Sequence, residues 1–127
     1  MKSSITALMI MLLLSTCSPE KEQTTAGTWS VIWQYKIKPE HRDEFEREYG
    51  PQGSWAALFS RSKDYTGSYL HVSEEVPDSY LLIDTWNSKT AYEAFKKTFS
   101  AEYDSLSRQF EPFYETEDRI GTFTRVE

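Results

Sequence analysis

The sequence predicts one α+β domain built on a four-stranded sheet, and three observations carry that reading. Trp29, Val31, Trp33, Tyr35 and Ile37 alternate with Ser30, Ile32, Gln34, Lys36 and Lys38, the period of a strand. Ala91, Phe95, Phe99, Tyr103, Leu106, Phe110 and Phe113 recur every three or four residues, the period of a helix with one apolar face. Between them, two strand-like runs are joined through Pro77-Asp78, a turn pair that makes them antiparallel neighbours.

Taken in order, Thr28 to Lys38 is the first strand. Its aromatic face is the more buried one, and Ile32 on the other face indicates that this side also needs a cover. Pro39-Glu40 opens a helix: proline suits the first turn, and Glu40, Asp43 and Glu44 favour its positive end. Phe45 and Tyr49 share a helix face with His41, and Gly50-Pro51 ends the segment. Ser54 to Ser60 reads as a short second helix carrying Trp55, Leu58 and Phe59, and Lys63 to Gly67 as a turn.

Ser68 to Glu75 is the second strand, with Tyr69, His71 and Ser73 on one face. Tyr80 to Trp86 is the third, rich in strand formers. Ser88 caps the long helix, which Pro112 stops or kinks. Glu115 to Asp118 reads as a polar link and Arg119 to Val126 as the fourth strand. The order β-α-(α)-β-β-α-β is that of a ferredoxin-like split β-α-β, a four-stranded antiparallel sheet with helices on one face. Its other face is half apolar, and a two-fold partner is the simplest cover, so a homodimer through the sheet is expected.

The first residues stand apart from this domain. Met1-Lys2 precedes an apolar run, Ile5 to Leu14, shorter than the roughly 20 residues a bilayer span requires. Residues 1–16 therefore read as a secretory signal. Leu14-Ser15-Thr16-Cys17 resembles the lipobox of bacterial lipoproteins, with Thr16 where Gly or Ala is usual. The resemblance implies lipidation at Cys17, a tether over residues 17–27, a domain over 28–127, and export to the bacterial cell envelope on a lipid anchor. Cys17 is the only cysteine, so the domain has no internal disulfide and relies on its core.

The chain carries a net charge of −6, and removal of residues 1–16 takes away only the charge of Lys2. An acidic chain without a basic cluster does not suit nucleic acid, and contact with the membrane is expected only through the anchor. No metal site is expected, because no cluster of His, Cys or carboxylates has ligand spacing. Phosphate-binding and dinucleotide motifs and a nucleophile elbow are absent too.

Aromatics make up 15% of the chain. Trp33, Tyr35, Trp55 and Phe59, with Phe95 on the long helix, can line an aromatic pocket or simply fill a core. Trp86 and Tyr92 flank the corner between third strand and long helix, either as a pocket wall with a hydrogen-bonding phenol or as a packed corner. His71 is a candidate general base, having an ordinary pKa near neutrality, or else a half-exposed strand residue. His41 reads as a surface residue. Asp84 faces the same way as Trp86 and reads as a carboxylate at the sheet rim; if buried, it needs a partner or a raised pKa.

Several segments together carry a family resemblance. They are Ile37 to Phe45, Gly50 to Phe59, Tyr65 to Leu70, Ile83 to Ser88 with Ala91 to Phe95, and Ile120 to Phe123. Over about residues 28–127 the chain resembles the antibiotic-biosynthesis-monooxygenase-like branch of the dimeric α+β barrel superfamily. The resemblance implies a monooxygenase acting without cofactor on a small apolar aromatic, polyketide-like compound. It also implies that Trp86 and Tyr92, separated by the family's gap of six, position the substrate. The family's Asn, four residues before the Trp, is Leu82 here. The haem-degrading branch uses a His on the second main helix, and His41 and His71 both lie elsewhere. A non-catalytic envelope lipoprotein that binds a hydrophobic small molecule or a protein partner is the alternative.

Overall fold

The computed structural model describes residues 28–127. The expected signal segment 1–16, Cys17 and the tether 17–27 lie outside the described residues. Strand β1 (Trp29–Ile37) leads through a 3-10 turn at Pro39–His41 into helix α1 (Arg42–Tyr49) and then α2 (Ser54–Phe59). Strands β2 (Tyr65–Val72) and β3 (Ser79–Trp86) follow, then α3 (Lys89–Thr98), α4 (Ser100–Phe110) and β4 (Tyr114–Thr124). The strands form one antiparallel sheet in the order β2-β3-β1-β4. Helices pack on one face, as the alternation predicts: Trp29, Val31, Tyr35 and Ile37 are buried there, as are Tyr80, Leu82 and Trp86 of β3.

Three boundaries differ from the sequence reading. The residues 115–118 continue β4 rather than forming a link, because Asp118, Glu117 and Thr116 pair with Gln34, Tyr35 and Lys36 of β1. β4 is an edge strand whose side chains are largely exposed, so its charged residues need no burial and give no strand signature. The long helix is two helices. Phe99 takes φ −109° and ψ 30°, yet bonds from its own amide to Phe95 and from Tyr103 to its carbonyl bridge the bend. Its ring rests on Phe95, with centroids 4.8 Å apart, under the Arg61 guanidinium. The apolar stripe is thus continuous across a break in the backbone.

β2 begins earlier and ends earlier than the apolar pattern suggests. At its end, the Ser73 amide still donates to the Ser79 carbonyl at 2.8 Å, and Ser73 Oγ accepts hydrogen bonds from the Glu75 and Val76 amides in a turn that takes Glu74 and Glu75 out of the strand. At its start, a register shift between Tyr65 and Gly67 inserts Thr66 as an extra residue. Gly67 has φ +144°, a conformation that favours glycine. The bulge turns Tyr65 onto the helix-covered face, where its ring meets Phe59 and Trp86.

The other sheet face has no cover within the chain. Tyr69, Ile83 and Ile32 lie across β2, β3 and β1 in register, and Phe123 continues this face on β4. Tyr69 and Phe123 are 54% and 49% exposed, so about half of each large residue meets water.

Trp86 is wholly buried, touching Phe59, Tyr65, Tyr92 and Phe95 with ring centroids 5.2–5.5 Å apart. Trp86→Ala should lower stability by about 3–5 kcal/mol in a denaturant titration. Ser88 Oγ accepts from the Ala91 amide as the cap of α3, and Ser88→Ala should cost only about 1 kcal/mol. Similar losses in the two variants would contradict the placement of Trp86 at the centre of the core.

Candidate active site

A narrow cleft opens between the covered sheet face and the helices. Its floor is Trp33 and Tyr35 of β1 with Leu82 and Asp84 of β3. Its roof is Tyr49 of α1, Trp55 and Phe59 of α2, and Tyr103 and Ser107 of α4, and Glu117 of β4 completes the lining. Period-two alternation brings the floor residues to one face: Trp33 pairs with Leu82 and Val31 with Asp84. The roof follows from helical spacing, since Trp55 and Phe59 lie four residues apart, as do Tyr103 and Ser107. The cleft's cavity volume is about 30 Å³, room for a water or two or for dioxygen.

Asp84 gives the cleft its chemistry. It is 4% exposed, which for a carboxyl calls for compensation. Ser68, directly across the ladder on β2, donates to Asp84 Oδ1 at 2.6 Å. Desolvation raises the pKa from 3.8 to about 7, and the bond from Ser68 opposes part of that rise. Asp84 is not the rim carboxylate that the sequence predicts but lies inside the covered face, because α2, α3 and α4 extend over β3.

Phenols surround it. Burial pushes Tyr35, Tyr49 and Tyr103 well above the ordinary phenol range, and Tyr65 and Tyr92 up to about 12. These hydroxyls therefore stay protonated at neutral pH and can donate hydrogen bonds. Trp55 Nε1 and Trp86 Nε1 are buried donors without a hydrogen-bond partner among the described residues. Trp55 Nε1 comes near the Tyr49 hydroxyl and opposes part of the rise that burial causes there, without the geometry of a formed bond. Trp55 lines the cleft with its ring, while its N–H is buried on the Tyr49 side.

The predicted site residues divide into three groups. Trp33, Tyr35, Trp55 and Phe59 come together as cleft lining. Trp86, Tyr92 and Phe95 form the packed layer behind Phe59, away from the lining; Phe59 meets Trp86 and Phe95 at 5.5 Å each. His71 lies apart from both, exposed on the opposite sheet face in register with Leu81. Tyr49, Tyr103 and Glu117 were missed as site residues. The first two were legible only as members of apolar helix stripes, and Glu117 sat in a segment read as a link. Among the described residues no three His, Cys, Asp or Glu side chains gather as a metal site, and no helix is long and apolar enough to cross a membrane.

Comparison with solved structures extends the fold assignment. The chain is similar to a proposed antibiotic biosynthesis monooxygenase from Bordetella bronchiseptica, at 20% identity and a TM-score of 0.65, over 80% of this chain and 99% of that one. It is similar to SnoaB, a cofactor-independent oxygenase from Streptomyces nogalater, at 17% identity and a TM-score of 0.58, over 78% of this chain and 93% of that one. An uncharacterized NIPSNAP domain protein from Burkholderia xenovorans shares the fold at 13% identity and a TM-score of 0.57, over 77% of this chain and 94% of that one. No curated protein matches. Residues 28–104 match the family model of antibiotic biosynthesis monooxygenases, more than half of the chain, and the protein belongs to that family.

Proposed function

We propose that the protein is a cofactor-independent monooxygenase that oxidises a small, apolar, ionisable aromatic at Asp84, working as a lipid-anchored homodimer at the cell envelope. The observation that carries this reading is a buried carboxyl, brought near neutral pKa, in the wall of an aromatic-lined cleft. Family membership and the likeness to a cofactor-independent oxygenase support it.

The chemistry needs a base and a dry pocket. Asp84 removes a proton from an acidic C–H or O–H of the substrate. The resulting anion gives one electron to dioxygen, and the two radicals combine into a peroxide. For a methylene flanked by aromatic rings, loss of its second proton with cleavage of the O–O bond yields a carbonyl and water. All four electrons reducing dioxygen come from the substrate, so no external reductant enters. The protonated Tyr103 phenol in the cleft wall is a donor suited to the developing oxyanion. The aromatic walls exclude water and orient the ring. The cleft is narrower than an aromatic ring, so its helical roof must open for substrate to enter. Leu82 in place of the family's Asn favours the second reading, a non-catalytic module that binds a hydrophobic small molecule.

The homodimer reading rests on the uncovered sheet face. Pairing it across a two-fold axis would shield Tyr69, Ile83, Ile32 and Phe123 together. Lipid anchoring rests on the lipobox-like run ending at Cys17.

With an anthrone or hydroquinone probe, the purified protein should consume oxygen, and Asp84→Asn should lower kcat by about 10²-fold or more. Tight ligand binding without oxygen uptake would establish the non-catalytic reading instead. Stability should also depend on this carboxyl. Its folded pKa of about 7 lies above the ordinary 3.8, so its contribution is full below about pH 4 and is lost as pH rises to 7. The loss is on the order of 4 kcal/mol. The melting temperature of Asp84→Asn should therefore rise relative to the parent between pH 4 and pH 7; a constant difference would show that Asp84 ionises freely in the fold. Sedimentation velocity should give a dimer that Tyr69→Glu with Phe123→Glu converts to a folded monomer. A dimer that persists would place the interface elsewhere.

A further inference from the structure

Asp84 is the end of a chain of hydroxyls. Ser68 Oγ donates to Asp84 Oδ1 at 2.6 Å, and the Tyr65 hydroxyl lies 2.6 Å from Ser68 Oγ. Since Ser68 has one proton and directs it to Asp84, the Tyr65 hydroxyl is the donor in the second bond. Ser68 is 4% exposed, so its hydroxyl has little access to competing water.

This arrangement exists because of the β2 bulge. In a regular strand, residues three apart point to opposite faces, and Tyr65 and Ser68 would not meet. The extra residue at Thr66, with Gly67 at φ +144°, brings both to the helix-covered face. A Cβ added at Gly67 would also come within 3.3 Å of the Tyr69 hydroxyl.

We propose that Ser68 and Tyr65 are positioning residues that hold Asp84 Oδ1 as a fixed acceptor, so that the proton taken from substrate resides on Oδ2. The proposal rests on Asp84 being the base. With Oδ1 engaged by Ser68, Oδ2 is the oxygen without a protein partner among the described residues, and Asp84 lines the cleft. On transfer, the substrate proton bonds to Oδ2 and the carboxylate becomes the neutral acid. The two hydroxyl bonds stay in their original direction, and the relay does not reverse during the step. The titratable groups facing Asp84 are Tyr35 of β1, Tyr49 of α1, Tyr65 of β2, Tyr92 of α3 and Tyr103 of α4, and Glu117 of β4 shares the cleft. No Lys, Arg or His lines the cleft among the described residues. The hydroxyl chain is thus the chief stabiliser of the ionised form.

The test is a carboxyl titration of the full chain by carbon-13 NMR with labelled aspartate, the Asp84 signal being assigned by its loss in Asp84→Asn. Ser68→Ala should move the Asp84 titration alkaline by about one pH unit. Tyr65→Phe should move it less in the same direction, and Ser68→Thr should restore it. The alkaline shift should appear equally in the pH profile of kcat/KM. An unmoved titration in Ser68→Ala overturns the relay, whatever the oxygen assay gives. A shifted titration without oxygen uptake supports the relay and rejects the base role on which its catalytic use depends.

Discussion

The contacts of Trp86 tie together elements that are far apart in sequence. The indole ends β3, meets Tyr65 on the edge strand, Phe59 on α2, and Tyr92 and Phe95 on α3, and is wholly buried. Its ring spans the gap between sheet and helices, so both layers are set against the same rigid body. The neighbouring contacts extend outward: Trp29 meets Tyr92, Phe59 meets Tyr103, and Phe95 meets Phe99. A core of this kind orients by ring edges and faces as well as by area. That helps to explain how a chain of this size with a single cysteine can hold a definite cleft beside the core.

The cleft is the place where this packing is incomplete. Two residues before Trp86 the same sheet face carries Asp84, and a carboxylate cannot be buried among rings without a compensating partner. Ser68 supplies one hydrogen bond; the remaining cost appears as a pKa near 7. A group with that pKa costs the fold stability at neutral pH and also accepts protons at neutral pH, so one physical fact underlies both its stability cost and its proposed use. Trp86 and Tyr92, which the resemblance implies as a positioning pair, lie by contrast in the core.

Local pattern made much of the architecture legible. The alternation in β1, the apolar run of β3, the Ser88 cap and the long apolar stripe are strong signals, because buried faces impose them directly. β4 was only half visible, since an edge strand with solvent-facing charges has no need of alternation. The break at Phe99 left no trace in an apolar stripe that runs through it. The site was less legible still. Trp33, Tyr35, Trp55 and Phe59 could be named because aromatics are few in kind and face predictably along strands and helices. Tyr49, Tyr103 and Glu117 converge from α1, α4 and β4, and no spacing rule relates them.

By itself the sequence determined the order of the strands and helical segments (though not the break between α3 and α4), the covered face of the sheet, the family, and the absence of an internal disulfide, because each depends on residues near one another in the chain or on simple counting. Tertiary structure decided what Asp84 is. Its burial depends on α2, α3 and α4 lying over β3, and its hydrogen bond depends on Ser68 being in register across the ladder. The reach of Tyr65 to Ser68 depends on a one-residue bulge. Desolvation and register are properties of the assembled surroundings, so the same aspartate reads as a rim charge in the linear chain and as a near-neutral acid in the fold.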